Sequence, residues 1–136
     1  MCSEELVELY LPSELGYEKV AIAVIKALAQ KIGFSTERTE DLKTALGEAV
    51  TNAIEHGNQL NVELRVFIAL TIQEQSLILS VVDEGRQPIP TIPTEHQERA
   101  DHRGWGMFLI KSLMDDVETL ALPGRNEIRM LAYLNN

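Results

Sequence analysis

Residues 6–11 alternate apolar and polar side chains, the period of a strand with one buried face, and Pro12-Ser13 closes it. The period then changes. Val20, Ala21, Val24, Ile25, Leu28 and Ile32 recur at three- and four-residue spacing, which predicts an amphipathic helix with Ser13 as its N-cap and an end near Gly33. Ser35 or Thr36 opens a second helix. Its stripe of Leu42, Ala45, Leu46, Ala49, Val50, Ala53 and Ile54 is the cleanest in the chain and stops at Gly57-Asn58. Alternation returns at Leu64, Val66, Ile68, Leu70 and Ile72. Glu74-Gln75-Ser76 turns the chain, and residues 77–82 bring it back as an antiparallel hairpin. Residues 85–103 follow neither period and hold Pro88, Pro90 and Pro93. A structureless stretch of that length inside a small domain is usually a lid or binding loop. A helix from 104 to about 114 follows. A last hairpin, 117–122 with 127–134, turns around Pro123-Gly124. The order predicts an α+β fold: a two-layer sandwich with a mostly antiparallel mixed sheet and helices on one face.

Composition narrows the partners. The 136 residues form one domain by length, 1–136, and 45% apolar content suffices for a core without staples. The net charge is −9, from 12 Lys and Arg against 21 acids. Direct nucleic-acid binding needs a basic face and is not expected. A polyanion such as ATP would instead be held by backbone N–H groups, a metal ion and a few arginines. The acidity leaves room for a basic protein partner. Cys2 is the single cysteine, so no internal bridge is expected, which suits a reducing cytoplasm. No run of about 18 apolar residues predicts a membrane span. The acidic start, Met1-Cys2-Ser3-Glu4-Glu5, does not read as a signal peptide.

Candidate chemistry falls at three places. On the second helix, Glu48 and Asn52 lie within roughly 40° of each other at the edge of the apolar stripe. Partial burial there raises a carboxylate's pKa toward the range of a working base. An asparagine carbonyl suits Mg²⁺, which takes few protein ligands. Taken alone, the pair is also compatible with two solvated flank residues. Glu55 reads as a solvated residue, and His56 as a side chain near the helix C-terminus. His56, His96, His102 and Cys2 show no zinc-ligand spacing. The second place is Asp83-Glu84-Gly85, an acid at the end of an apolar strand. A carboxylate there could take the amino group of adenine, and glycine leaves space for a flat ring; an ordinary turn has the same pattern. The third is Gly104-x-Gly106 at a helix start, a generic phosphate cradle, with Arg103 before it. Trp105 covers a pocket edge or packs at the lid hinge.

As a set, these segments resemble the GHKL ATPases, which share the Bergerat ATP-binding fold with gyrase, MutL-type and histidine-kinase catalytic domains. Glu48-x-x-x-Asn52-Ala53-x-x-His56-Gly57 is similar to the N box of that superfamily. Asp83-x-Gly85 is similar to its first glycine box, and Gly104-x-Gly106-Met107-Phe108-Leu109-Ile110 to its second. Glu40-Asp41-Leu42-Lys43-Thr44-Ala45, Glu55-His56-Gly57-Asn58 and the run from Phe108 to Asp115 resemble the anti-sigma-factor serine kinases. The resemblance covers nearly the whole chain.

It implies that Asn52 coordinates Mg²⁺ on the ATP phosphates and that Glu48 is the base or orients the accepting hydroxyl. Asp83 would receive the adenine amino group and Gly85 would allow its close approach. Gly104 and Gly106 would offer N–H groups to the phosphates, and about 86–103 would be the ATP lid. The implied activity is ATP-dependent phosphorylation of a serine on an antagonist protein, together with binding of a sigma factor. Members of the group usually dimerise. Two departures stand out. Gln87 replaces the second glycine of Asp-x-Gly-x-Gly, and Arg125-Asn126 replaces the Gly-Thr of the last hairpin. Asn126 can both donate and accept a hydrogen bond. Rival expectations are an ATP- or ADP-binding switch without phosphotransfer, and an ATPase or histidine-kinase catalytic fragment. For the last, the chain has no room for a phosphoacceptor helix domain.

Overall fold

The computed structural model describes residues 4–85 and 103–134. The elements are β1 (Glu5–Pro12), α1 (Glu18–Ile32), α2 (Thr36–Asn52), a π-helical turn (Ala53–Gly57), β2 (Arg65–Ile72), β3 (Ser76–Asp83), α3 (Arg103–Leu113), β4 (Asp116–Leu122) and β5 (Arg125–Tyr133). The strands form one sheet in the order β1-β2-β3-β5-β4. Every described pairing is antiparallel, so the sheet is not mixed.

The helices cover one face of this sheet. Val66, Ile68 and Leu70 of β2, Leu77, Leu79 and Val81 of β3 and Met130 of β5 are buried on that side. They meet Ile25 of α1, Leu42, Leu46 and Val50 of α2, and Met107 and Ile110 of α3 in one core. Tyr10 and Tyr133, at alternate strand positions, stay exposed. The α2 stripe expected from the sequence is the buried one, extended by Ala53 and Ile54 in the π turn.

Helix ends follow local chemistry with one exception. Ser35 caps α2, its side chain accepting from Arg38 N–H at 3.0 Å. Gly33 closes α1 in the left-handed region, at φ 103°. Ser13, expected to cap α1, does not: Tyr17 occupies the N-cap without a side-chain bond. Ser13 is fully buried and its Oγ donates to Leu64 O at 2.7 Å. A long-range bond took the hydroxyl that a local cap would have used.

Arg38 fastens the start of α2 to the end of α3. Its guanidinium donates to the Leu113 carbonyl, to Asp41 at 3.2 Å and to Asp115 at 2.9 Å. That clamp holds α3 alongside α2 and so sets where the glycine-rich start of α3 lies.

Candidate functional site

Three elements carry the site: the C-terminal half of α2, the end of β3 and the first turn of α3. Glu48 and Asn52 sit one turn apart on α2, both half-buried. Asn52 is the last α-helical residue before the π turn, an irregularity often found at functional sites. Gly104 and Gly106 are buried in the first turn of α3. A Cβ added to Gly106 would stand 3.0 Å from Glu48 Oε1 and 3.3 Å from Asn52 Nδ2. The helix start therefore lies directly against the acid–amide pair, and glycine is what leaves that point open. Arg103 is the first residue of α3, and its side chain lies outside the described part of the molecule.

The pair is electrostatically tuned. Burial pushes the Glu48 pKa above its ordinary value, and the nearby charge of Glu55 pushes it further in the same direction. Glu55, expected as a solvated bystander, is half-buried and acts on the candidate base. Asn52 Nδ2 is buried and has no hydrogen-bond partner among the described residues. A buried amide left unpaired is costly unless something else binds there. Oxygen and nitrogen of the amide exchange by a simple flip. The Asn52 amide, with space kept beside it by Gly106, fits a hard cation held mainly by phosphate oxygens and water. Among the described residues no three His, Cys, Asp or Glu side chains group as a metal cage.

A second cluster forms at the end of β3. Asp83 is buried, and its Oδ1 accepts from Gly85 N–H at 3.0 Å and from Asn126 Nδ2 at 3.4 Å. The β3–β5 register places Asn126 opposite Asp83. Asn126 thus donates to the acid from the neighbouring strand. Gly57 and Gly85 complete the cluster. A Cβ on Gly57 would lie 2.3 Å from Asp83 Oδ2, and one on Gly85 would lie 1.4 Å from the Gly57 carbonyl oxygen. At Gly85 only glycine fits, because the obstacle is backbone; at Gly57 a side chain would have to displace the Asp83 carboxylate.

Two residues were more important than their sequence signals implied. Gly57 and Asn58 read as a helix stop, yet both pack against the Asp83-Glu84-Gly85 corner. Asn58 is buried; its Nδ2 donates to Ser13 Oγ at 2.8 Å and to Arg65 O at 3.1 Å, and its Oδ1 accepts from Glu84 N–H at 2.8 Å. It thereby anchors the Asp83-Glu84-Gly85 corner. The signal available was the His56-Gly57-Asn58 run itself, too short to reveal a contact across the fold. His56 lies half-buried in the π turn. Trp105 stacks on Phe108 with centroids 5.3 Å apart. The lid expected over 86–103, with Gln87, and the residues Cys2, His96 and His102 lie outside the described residues, apart from the backbone of Arg103.

An open-faced antiparallel sheet carrying helices with glycine-opened cradles defines an ATP-binding domain. Residues 11–132 match the family described as Histidine kinase-like ATPase domain, and the chain belongs to that family. It is 33% identical over 127 residues to the Serine-protein kinase RsbW of Oceanobacillus iheyensis, covering 87% of this chain and 80% of that protein. It is 31% identical over 141 residues to the Anti-sigma F factor of Thermoanaerobacter pseudethanolicus, covering 96% of this chain and 95% of that one. In shape it matches the crystal structure of the RsbU and RsbW domains of a Mycobacterium tuberculosis protein, with a TM-score of 0.72 at 18% identity. That match covers 97% of this chain and 33% of the solved chain, and it concerns the fold alone. No helix among the described residues is long and apolar enough to cross a membrane.

Proposed function

We propose that this chain is an ATP-dependent protein serine kinase and anti-sigma factor, which binds a sigma factor and phosphorylates a serine of an antagonist protein. The observation that carries this reading is the seat of Gly106 against both Glu48 and Asn52. A helix N-terminus, a candidate base and an unpaired amide meet at one point, and phosphoryl transfer needs little beyond positioning and charge neutralisation. The names of the relatives support both the kinase and the anti-sigma activity.

In this reading Asn52 holds Mg²⁺, which neutralises charge on the ATP phosphates. Gly104 and Gly106 direct backbone N–H groups at phosphate oxygens, and Arg103 adds a cation. Asp83 accepts the adenine amino group, steadied by Asn126; the space that the missing Gly85 side chain leaves is taken by the Gly57 carbonyl, so Gly85 holds this corner against the π turn and does not clear a place for the ring. Glu48 takes the proton of the serine hydroxyl, a task its raised pKa favours. On this reading the protein belongs in the cytoplasm, and a homodimer is the assembly that the family resemblance implies.

The test is incubation with Mg²⁺, γ-labelled ATP and the antagonist protein recovered from the host by pull-down. Label on a serine of the antagonist is the expected result. Glu48→Gln leaves ATP affinity intact and cuts transfer by about 10²-fold or more, whereas Asn52→Ala weakens Mg·ATP binding by a few kcal/mol. ATP binding without transfer in the wild type would return the switch reading. Transfer undiminished in Glu48→Gln would remove Glu48 from the chemistry.

A further inference from the structure

A concavity of about 330 Å³ lies among α1, α2 and α3, and Glu48 is part of its wall. Thr44, Gly47, Glu48 and Thr51 follow one another along a single face of α2, at the spacing of helical neighbours. Ile22 of α1 and Leu109 of α3 supply half-buried apolar walls. At the small end of ligand-site volumes, the groove suits a short stretch of chain rather than a nucleotide. Glu48 is thus shared: one of its sides meets the Gly106 cradle and another faces the groove.

Gly47 strengthens the case. Glycine inside a helix costs about 0.5–1 kcal/mol relative to alanine. Gly47 is buried where α1 packs on α2, and an added Cβ would stand 3.0 Å from Ile22 Cδ1 and 3.4 Å from Ile22 Cγ1, so part of its role is close helix packing. It also puts no side chain at the base of the concavity beside Glu48.

We propose that this groove seats the acceptor: an extended, serine-bearing segment of the antagonist, with a small apolar residue lodged between Ile22 and Leu109. The inference rests on the kinase reading and says from which side the substrate enters. The serine Oγ forms a bond to the γ-phosphorus, and the bond from that phosphorus to the β,γ-bridging oxygen breaks. The hydroxyl proton passes to Glu48, and ADP leaves. The hydroxyls of Thr44 and Thr51 can bond to the backbone of the entering segment, which makes them positioning residues.

Two variants test this, Thr44→Arg at an exposed position and Gly47→Leu on the floor, with Thr44→Ser as a conservative control. Mg·ATP affinity, the KM for ATP, and kcat and KM for the host antagonist are measured on each. Expected are a tenfold or greater fall in kcat/KM for the antagonist, carried by its KM, an ATP affinity within twofold of wild type, and near-normal transfer by Thr44→Ser. A smaller fall in Thr44→Arg overturns the groove assignment. A parallel loss of ATP affinity also overturns it, because the groove would then not be separate from the nucleotide site. Wild-type protein that transfers no label refutes the kinase reading itself, so the two failures are told apart.

Discussion

Gly57→Ala probes the Asp83 carboxylate with little disturbance elsewhere. Gly57 does not use a left-handed φ, so alanine suffers no backbone strain there. As a better helix former, alanine even gains about 0.5–1 kcal/mol locally. Its methyl, however, would stand 2.3 Å from Asp83 Oδ2 and 2.4 Å from Asp83 Cγ. Ordinary contact distances of about 3.5 Å require the carboxylate to withdraw by roughly 1 Å. Its bond from Asn126, at 3.4 Å, has no slack to follow that movement. On the proposed reading the acceptor for adenine is then lost, and a hydrogen bond to a charged group is worth about 1.5–3 kcal/mol. ATP affinity is therefore expected to fall about 10- to 150-fold. Titration calorimetry with Mg·ATP and Mg·GTP reads this directly. ATP should lose more than GTP, which has no amino group at that position of its ring. The thermal midpoint serves as the control and should move by only a few degrees. An ATP affinity within threefold of wild type, in a folded variant, would refute the claim that Asp83 grips the base.

Two further substitutions probe the supports of the site. Glu55→Gln removes the like charge that helps hold the Glu48 pKa up. Because the base form is the ionised one, the acid limb of the kcat/KM profile should move to lower pH, and only part of the way, since burial is the larger cause. The same sign applies to stability: a raised folded-state pKa penalises the fold as pH climbs from the ordinary value of 4.5 through the raised one. Titrating the rate and the denaturation midpoint across that window checks both, and an unmoved acid limb would count against Glu48 as the base. Asn58→Ala deletes three hydrogen bonds and strands the buried partners of the corner. With about 1–3 kcal/mol for each unsatisfied group, a loss of roughly 3 kcal/mol or more is expected. That corresponds to a fall of about 10 °C in the midpoint followed by circular dichroism. A midpoint within two or three degrees of wild type would mean that water replaces the amide.

Periodicity by itself determined the elements. It located β1 to β5 and the helices because each element buries one face, and the spacing of apolar residues records which face that is. Local chemistry likewise placed a cap at Ser35 or Thr36, of which the structure uses Ser35, and the Gly33 stop, since those bonds close within one turn. Glu48 and Asn52 were recognisable as neighbours for the same reason. Tertiary structure alone decided the rest. Whether Ser13 would cap α1 or bond to Leu64 depended on competition with a partner 51 residues away. No local pattern could show that Gly57 packs on Asp83 or that Asn58 reaches Glu84. Nor could it set the sheet order that lays β5 beside β3, or bring Gly106 of α3 against α2. Those contacts join residues distant along the chain, and they exist only once the helical layer and the sheet have closed on a common core. Spacing limits what each residue can touch within its own element; packing of the whole fold selects its partners in the others.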